Sequence, residues 1–177
     1  LCRPCARVGV SAGDPSDPVG DGLGGAVPTV STFDALLSGF TWNGTSVAGR
    51  PVFVTYSFDT RAAGTVIGDF PAAFLNSFQA FGPVEQALAE QALDAWASVS
   101  GVTFLLAPPG QGDIRFGLYE FDLGVAGVRD TPGFAYFPSV VVGPNRAVEQ
   151  DFGGDVFIDI GQASFATLIH EIGHALG

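Results

Sequence analysis

The sequence predicts an α/β domain of the layered, α+β kind, a twisted mixed sheet with helices packed on it. Three observations carry this. Val52-Phe53-Val54-Thr55-Tyr56-Ser57-Phe58 is dense in β-branched and aromatic side chains and reads as a strand. An apolar pattern at helical spacing then runs from Pro83 to Gly101. Further short strands and a final helix follow, giving the order strand, helix, several strands, helix.

Taken in order, residues 1–30 are rich in Gly, Pro, Asp and Ser and read as a linker or disordered leader, with no basic region followed by an apolar one as in a signal peptide. The domain is expected over 31–177. Ser31 opens a short helical pattern that stops at Gly39. The stretch from Arg61 to Gly82 is mixed and gives only a weak signal. Pro83 suits the first turn of a helix. Val84, Leu88, Ala92, Ala95, Trp96 and Val99 share its apolar stripe, where Trp96 is expected to pack in the core, and Gly101 suits a left-handed cap.

Val102–Leu106 and Asp113–Leu118 read as strands either side of a Pro108-Pro109-Gly110 turn. Phe134-Ala135-Tyr136-Phe137, closed by Pro138, and Asp155–Asp159 read as two more. Ser164 is the expected N-cap of a helix carrying Phe165, Leu168, Ile169 and Ile172 on its apolar side.

Composition narrows the function. Charged residues make up 14% and hydrophobic ones 47%, which excludes wholesale disorder. The net charge is −11, with seven bases that are all arginine, and such a chain repels nucleic acid. No apolar run approaches the roughly 20 residues that a membrane span needs. Cys2-Arg3-Pro4-Cys5 lacks both the helix-opening context of a redox pair and the second pair of a zinc site. It reads as a terminal segment with no assigned role.

The chemistry concentrates at the end. The only two histidines, His170 and His174, enclose His170-Glu171-Ile172-Gly173-His174 on the final helix. Residues four apart share a helix face, so both imidazoles can reach one ion about 2.0–2.1 Å from each nitrogen. Glu171, one step round, suits the general base that takes a proton from a water activated by zinc. Gly177 extends the pattern towards H-E-x-x-H-x-x-G-x-x-H, whose third histidine would fall three residues further on. Asp159 reads as a loop acid rather than a support for the metal site.

Upstream blocks add a family resemblance. Leu36-Leu37-Ser38-Gly39 with Trp42, Thr55–Phe58, Ala92-Leu93-Asp94-Ala95-Trp96, Val102-Thr103-Phe104, Asp113–Gly117, Phe134–Pro138, Gly154-Asp155-Val156 and the last helix occur in this order. Together they resemble the serralysin-type secreted metzincin endopeptidases of bacteria. The resemblance implies the N-terminal half of a metzincin catalytic domain, without its C-terminal half. It implies zinc on His170 and His174, protein or peptide substrates, and an extracellular location. It also implies calcium in downstream repeats, and an edge strand whose Phe134, Ala135 and Tyr136 contact substrate through their backbones.

A chain with two of three protein ligands is expected to bind zinc weakly and hydrolyse little by itself. The alternative is a truncated, inactive protease-like domain that binds peptides by strand addition. A zinc hydrolase with a later glutamate ligand is a third reading, and Gly177 with the upstream blocks argues against it.

Overall fold

A computed structural model of the chain describes residues 42, 52–63, 70–123, 130–138, 140–143, 146–149 and 152–177. The expected leader with Cys2 and Cys5, and the short helix expected from Ser31, lie outside the described residues.

The strand expected first is β1, Val52–Phe58. Two helices follow, α1 (Ala72–Asn76) and α2 (Pro83–Ser100), and then β2 (Val102–Leu106). β1 and β2 pair in parallel, a pairing that needs a crossover of a dozen residues or more, which the two helices supply. Gly101 ends α2 at φ 74°, a left-handed conformation that costs glycine little.

β3 (Ile114–Tyr119) then lies parallel to β1, and β7 (Val156–Asp159) parallel to β3. β4 (Gly133–Ala135) pairs antiparallel with β7. The sheet order is β2-β1-β3-β7-β4, which puts β4 at one edge. β5 (Val140–Gly143) and β6 (Arg146–Glu149) form a separate antiparallel hairpin. The last helix, α3, spans Phe165–Leu176. This is the mixed α/β architecture that the sequence predicts.

Strand alternation sorts the core into two layers. Val54, Ile114, Phe116, Leu118, Val156 and Ile158 point one way and meet Ala89, Ala92, Leu93, Leu168 and Ile172 of α2 and α3. Tyr119, Phe134 and Phe157 point the other way and are covered by Phe74 of α1 and by Phe121. Phe134 and Phe157 stack across the β4–β7 pair with ring centroids 4.6 Å apart. On this second face Arg115 also makes a two-pronged ion pair with buried Asp155, at 2.7 and 2.8 Å.

Several elements differ from expectation. The weak stretch before Gly82 contains α1, whose Phe74 is fully buried in the aromatic layer. Val84 and Val99 of the predicted α2 stripe are 69% and 77% exposed. Ala92 of that stripe is buried as expected, but its buried companions are Ala89 and Leu93, because α3 packs on this side of α2. Phe165 is likewise exposed at the start of α3. β4 is shorter than the predicted strand, since the ladder beyond Ala135 gives way to bonds between Tyr136 and the turn at Gly154 and Asp155.

Candidate active site

α3 begins where Ser164 accepts a hydrogen bond from the Thr167 amide at 3.1 Å, satisfying a donor that the first helical turn leaves without a helical partner. Along the helix, Leu168, Glu171, Ile172 and Ala175 are buried. Their i, i+3, i+4, i+7 spacing forms one stripe, and Glu171 is a carboxylate inside it, 2% exposed. His170 is exposed and His174 half-buried.

The two imidazoles converge. Their Nε2 atoms are 3.1 Å apart and the rings are nearly perpendicular, at 88°. That gap is well under two zinc–nitrogen bonds laid end to end, about 4.1 Å, so one ion can touch both nitrogens in a bent arrangement. The donor pair therefore fits zinc. Among the described residues, no group of three or more His, Cys, Asp or Glu side chains is placed to hold a metal ion. Gly177 has φ 98°, a value that glycine adopts at little cost, and its amide donates to the His174 carbonyl at 3.1 Å.

The edge strand passes over this helix. A Cβ on Gly133 would lie 3.0 Å from Glu171 Cγ, so the absence of a side chain there lets β4 approach the buried carboxylate. Phe137, just beyond β4, sets its ring edge-on to His174 with centroids 5.7 Å apart. The sequence marks Phe137 only as part of the expected edge strand and does not mark Gly133, although a glycine at the start of a strand is a recognisable sign of close approach.

Of the three proposed substrate-contact residues, the backbone treats one differently. The Pro132 carbonyl accepts from Asp159, the Tyr136 amide donates to the Asp155 carbonyl, and the Tyr136 carbonyl accepts from Gly154. Main-chain groups alternate sides along an antiparallel strand. Phe134 and Tyr136 thus turn their amides and carbonyls towards β7 and its approach, and Ala135 turns its own away. The side chains of Phe134 and Tyr136 belong to the aromatic layer. Asp159, expected as a loop acid, is instead the last residue of β7, where its carboxylate accepts a hydrogen bond from the Phe121 amide at 3.0 Å.

Comparison with known proteins bears on this geometry. No family model matches the chain. Serralysin G of Dickeya chrysanthemi is 32% identical over 145 residues, covering 77% of this chain and 28% of the relative. Serralysin B of the same organism is 28% identical over 175 residues, 89% of this chain and 33% of the relative. Serralysin of Proteus mirabilis is 27% identical over 148 residues, 77% and 29%. The chain is a relative of the serralysin-type metalloproteases. It spans about a third or less of the length of these relatives.

Proposed function

We propose that this chain forms the metal-helix part of the catalytic domain of a zinc-dependent endopeptidase, with His170 and His174 as zinc ligands and Glu171 as general base. The observation that supports the reading most is the 3.1 Å approach of the two Nε2 atoms beside a buried glutamate. Bound zinc would supply Lewis-acid polarisation of the scissile carbonyl and of a water molecule. Glu171 takes a proton from the attacking water and passes it to the leaving amine. Burial under β4 limits the rotamers of Glu171 and shields its charge from bulk water, which strengthens its interaction with a nearby cation.

Substrate would add to the β4 edge as an extended peptide. On the backbone directions above, Ala135 offers the amide and carbonyl for that pairing, while Phe134 and Tyr136 hold the strand to the sheet. Phe137 would wall the cleft next to His174. The family resemblance adds an extracellular location and calcium in repeats further along the natural polypeptide. No helix among the described residues is long and apolar enough to cross a membrane.

The test is Glu171→Gln in the natural polypeptide. Peptide hydrolysis should fall by at least 1,000-fold, on the order that losing a central proton-transfer group costs, while bound zinc stays stoichiometric. Full retained activity would remove Glu171 from the mechanism. Stoichiometric zinc in His170→Ala would remove that ligand.

A further inference from the structure

We propose that Trp96 of α2, closing against Gly173 of α3, is a positioning residue that sets the rotation of the metal helix and so the presentation of His170 and His174. The inference rests on the reading of those histidines as zinc ligands. Trp96 Nε1 donates to the Ile169 carbonyl at 2.8 Å, and Ile169 immediately precedes His170. The same indole lies over Gly173, where an added Cβ would be 2.9 Å from Trp96 Cζ2, and Gly173 immediately precedes His174. One rigid ring thus touches α3 at two points a turn apart, each next to a candidate ligand.

Geometry makes this contact specific. Helix residues advance 100° each, so a contact at Ile169 and Gly173 lies to one side of the His170–His174 row and leaves that row clear. Rolling α3 towards α2 would drive Gly173 into the indole, and rolling it away would break the hydrogen bond to Ile169. The ring therefore opposes rotation in both senses. Any side chain at position 173 disturbs the seat, because two heavy atoms at 2.9 Å must move apart, and the half-buried indole is held on its other side by its hydrogen bond to Ile169. Trp42 adds a second tie, donating to the Ala175 carbonyl at 2.9 Å, so both tryptophans of the chain bond to the backbone of the same helix. Groups that orient metal ligands from behind commonly change metal affinity by about 10–100-fold when removed.

The experiment compares Gly173→Ala and Trp96→Phe with Phe81→Leu, a core change whose aromatic ring contacts are Phe58 and Phe116. Zinc affinity is measured by chelator competition well below each melting temperature. The ring-proton resonances of the chain's two histidines are recorded on the metal-free protein. Zinc affinity should fall about tenfold or more in Gly173→Ala and several-fold in Trp96→Phe. In Phe81→Leu it should stay within about twofold, although all three variants melt lower. The histidine resonances should move in the first two variants and stay in the third.

Unmoved resonances in Gly173→Ala and Trp96→Phe would overturn the proposal, as would an equal loss of zinc affinity in Phe81→Leu. If the natural polypeptide, in which these measurements are made, bound no zinc when unaltered, the metal reading would fail. The histidine resonances would then still decide whether Trp96 and Gly173 orient the pair.

Discussion

Glu171 shows how much a single residue carries. A carboxylate in the stripe Leu168, Ile172, Ala175 contradicts the apolar pattern of a core helix, and its position next to His170 marks it in the sequence as a catalytic candidate. Tyr119 was not legible in this way. Its hydroxyl accepts a hydrogen bond from the Ala63 amide at 3.2 Å. Burial pushes the phenol pKa up to about 12, opposed by that hydrogen bond and reinforced by Asp155 and Asp59. A pKa raised in the folded state means that the unfolded chain loses its proton first as pH rises. The stability that comes from the neutral phenol is therefore whole below about pH 10 and drains away between about 10 and 12, by up to about 3 kcal/mol. Denaturant unfolding at pH 9 and pH 11 should show a steeper loss for the unaltered protein than for Tyr119→Phe.

Among the elements, α3 was the most legible because its start, stripe and end are all local signals. Ser164 caps it as expected. Ser164→Ala should lower the unfolding free energy by about 1 kcal/mol, read as a shift in the denaturant midpoint with an unchanged slope. α2 was legible in its ends but not in its face. Pro83 and Gly101 act within one turn of chain, whereas the face is chosen by what packs on it. Apolar residues surround much of α2, and only the approach of α3 decides that Ala92 is covered and Val99 is not. α1 was missed for a related reason: five residues are too few for a periodic signal, and Phe74 gains its place from the rings it meets across the sheet.

For the whole molecule, the decisive feature is that both faces of the sheet are covered, one by α2 and α3 and the other by an aromatic layer. Phe157 sits in the middle of that layer, 1% exposed and in ring contact with Phe70, Phe74, Tyr119, Phe134 and Tyr136. Phe157→Ala should cost about 3–5 kcal/mol, measured by equilibrium unfolding. It should loosen β4, which stacks Phe134 on that ring. Hydrogen exchange at the Tyr136 amide, bonded to Asp155 at 3.0 Å, should rise with it.

The sequence by itself determined the elements with strong local patterns, and it marked His170, Glu171 and His174, because i, i+4 spacing on a helix brings side chains together without help from the rest of the fold. The tertiary structure decided everything that depends on distant segments meeting. It set β4 antiparallel at the sheet edge, turned the Ala135 backbone outward, brought Gly133 over Glu171 and seated Trp96 on Gly173. Those contacts join residues tens of positions apart in the chain. Such contacts are selected by packing both faces of one sheet, which no local pattern encodes.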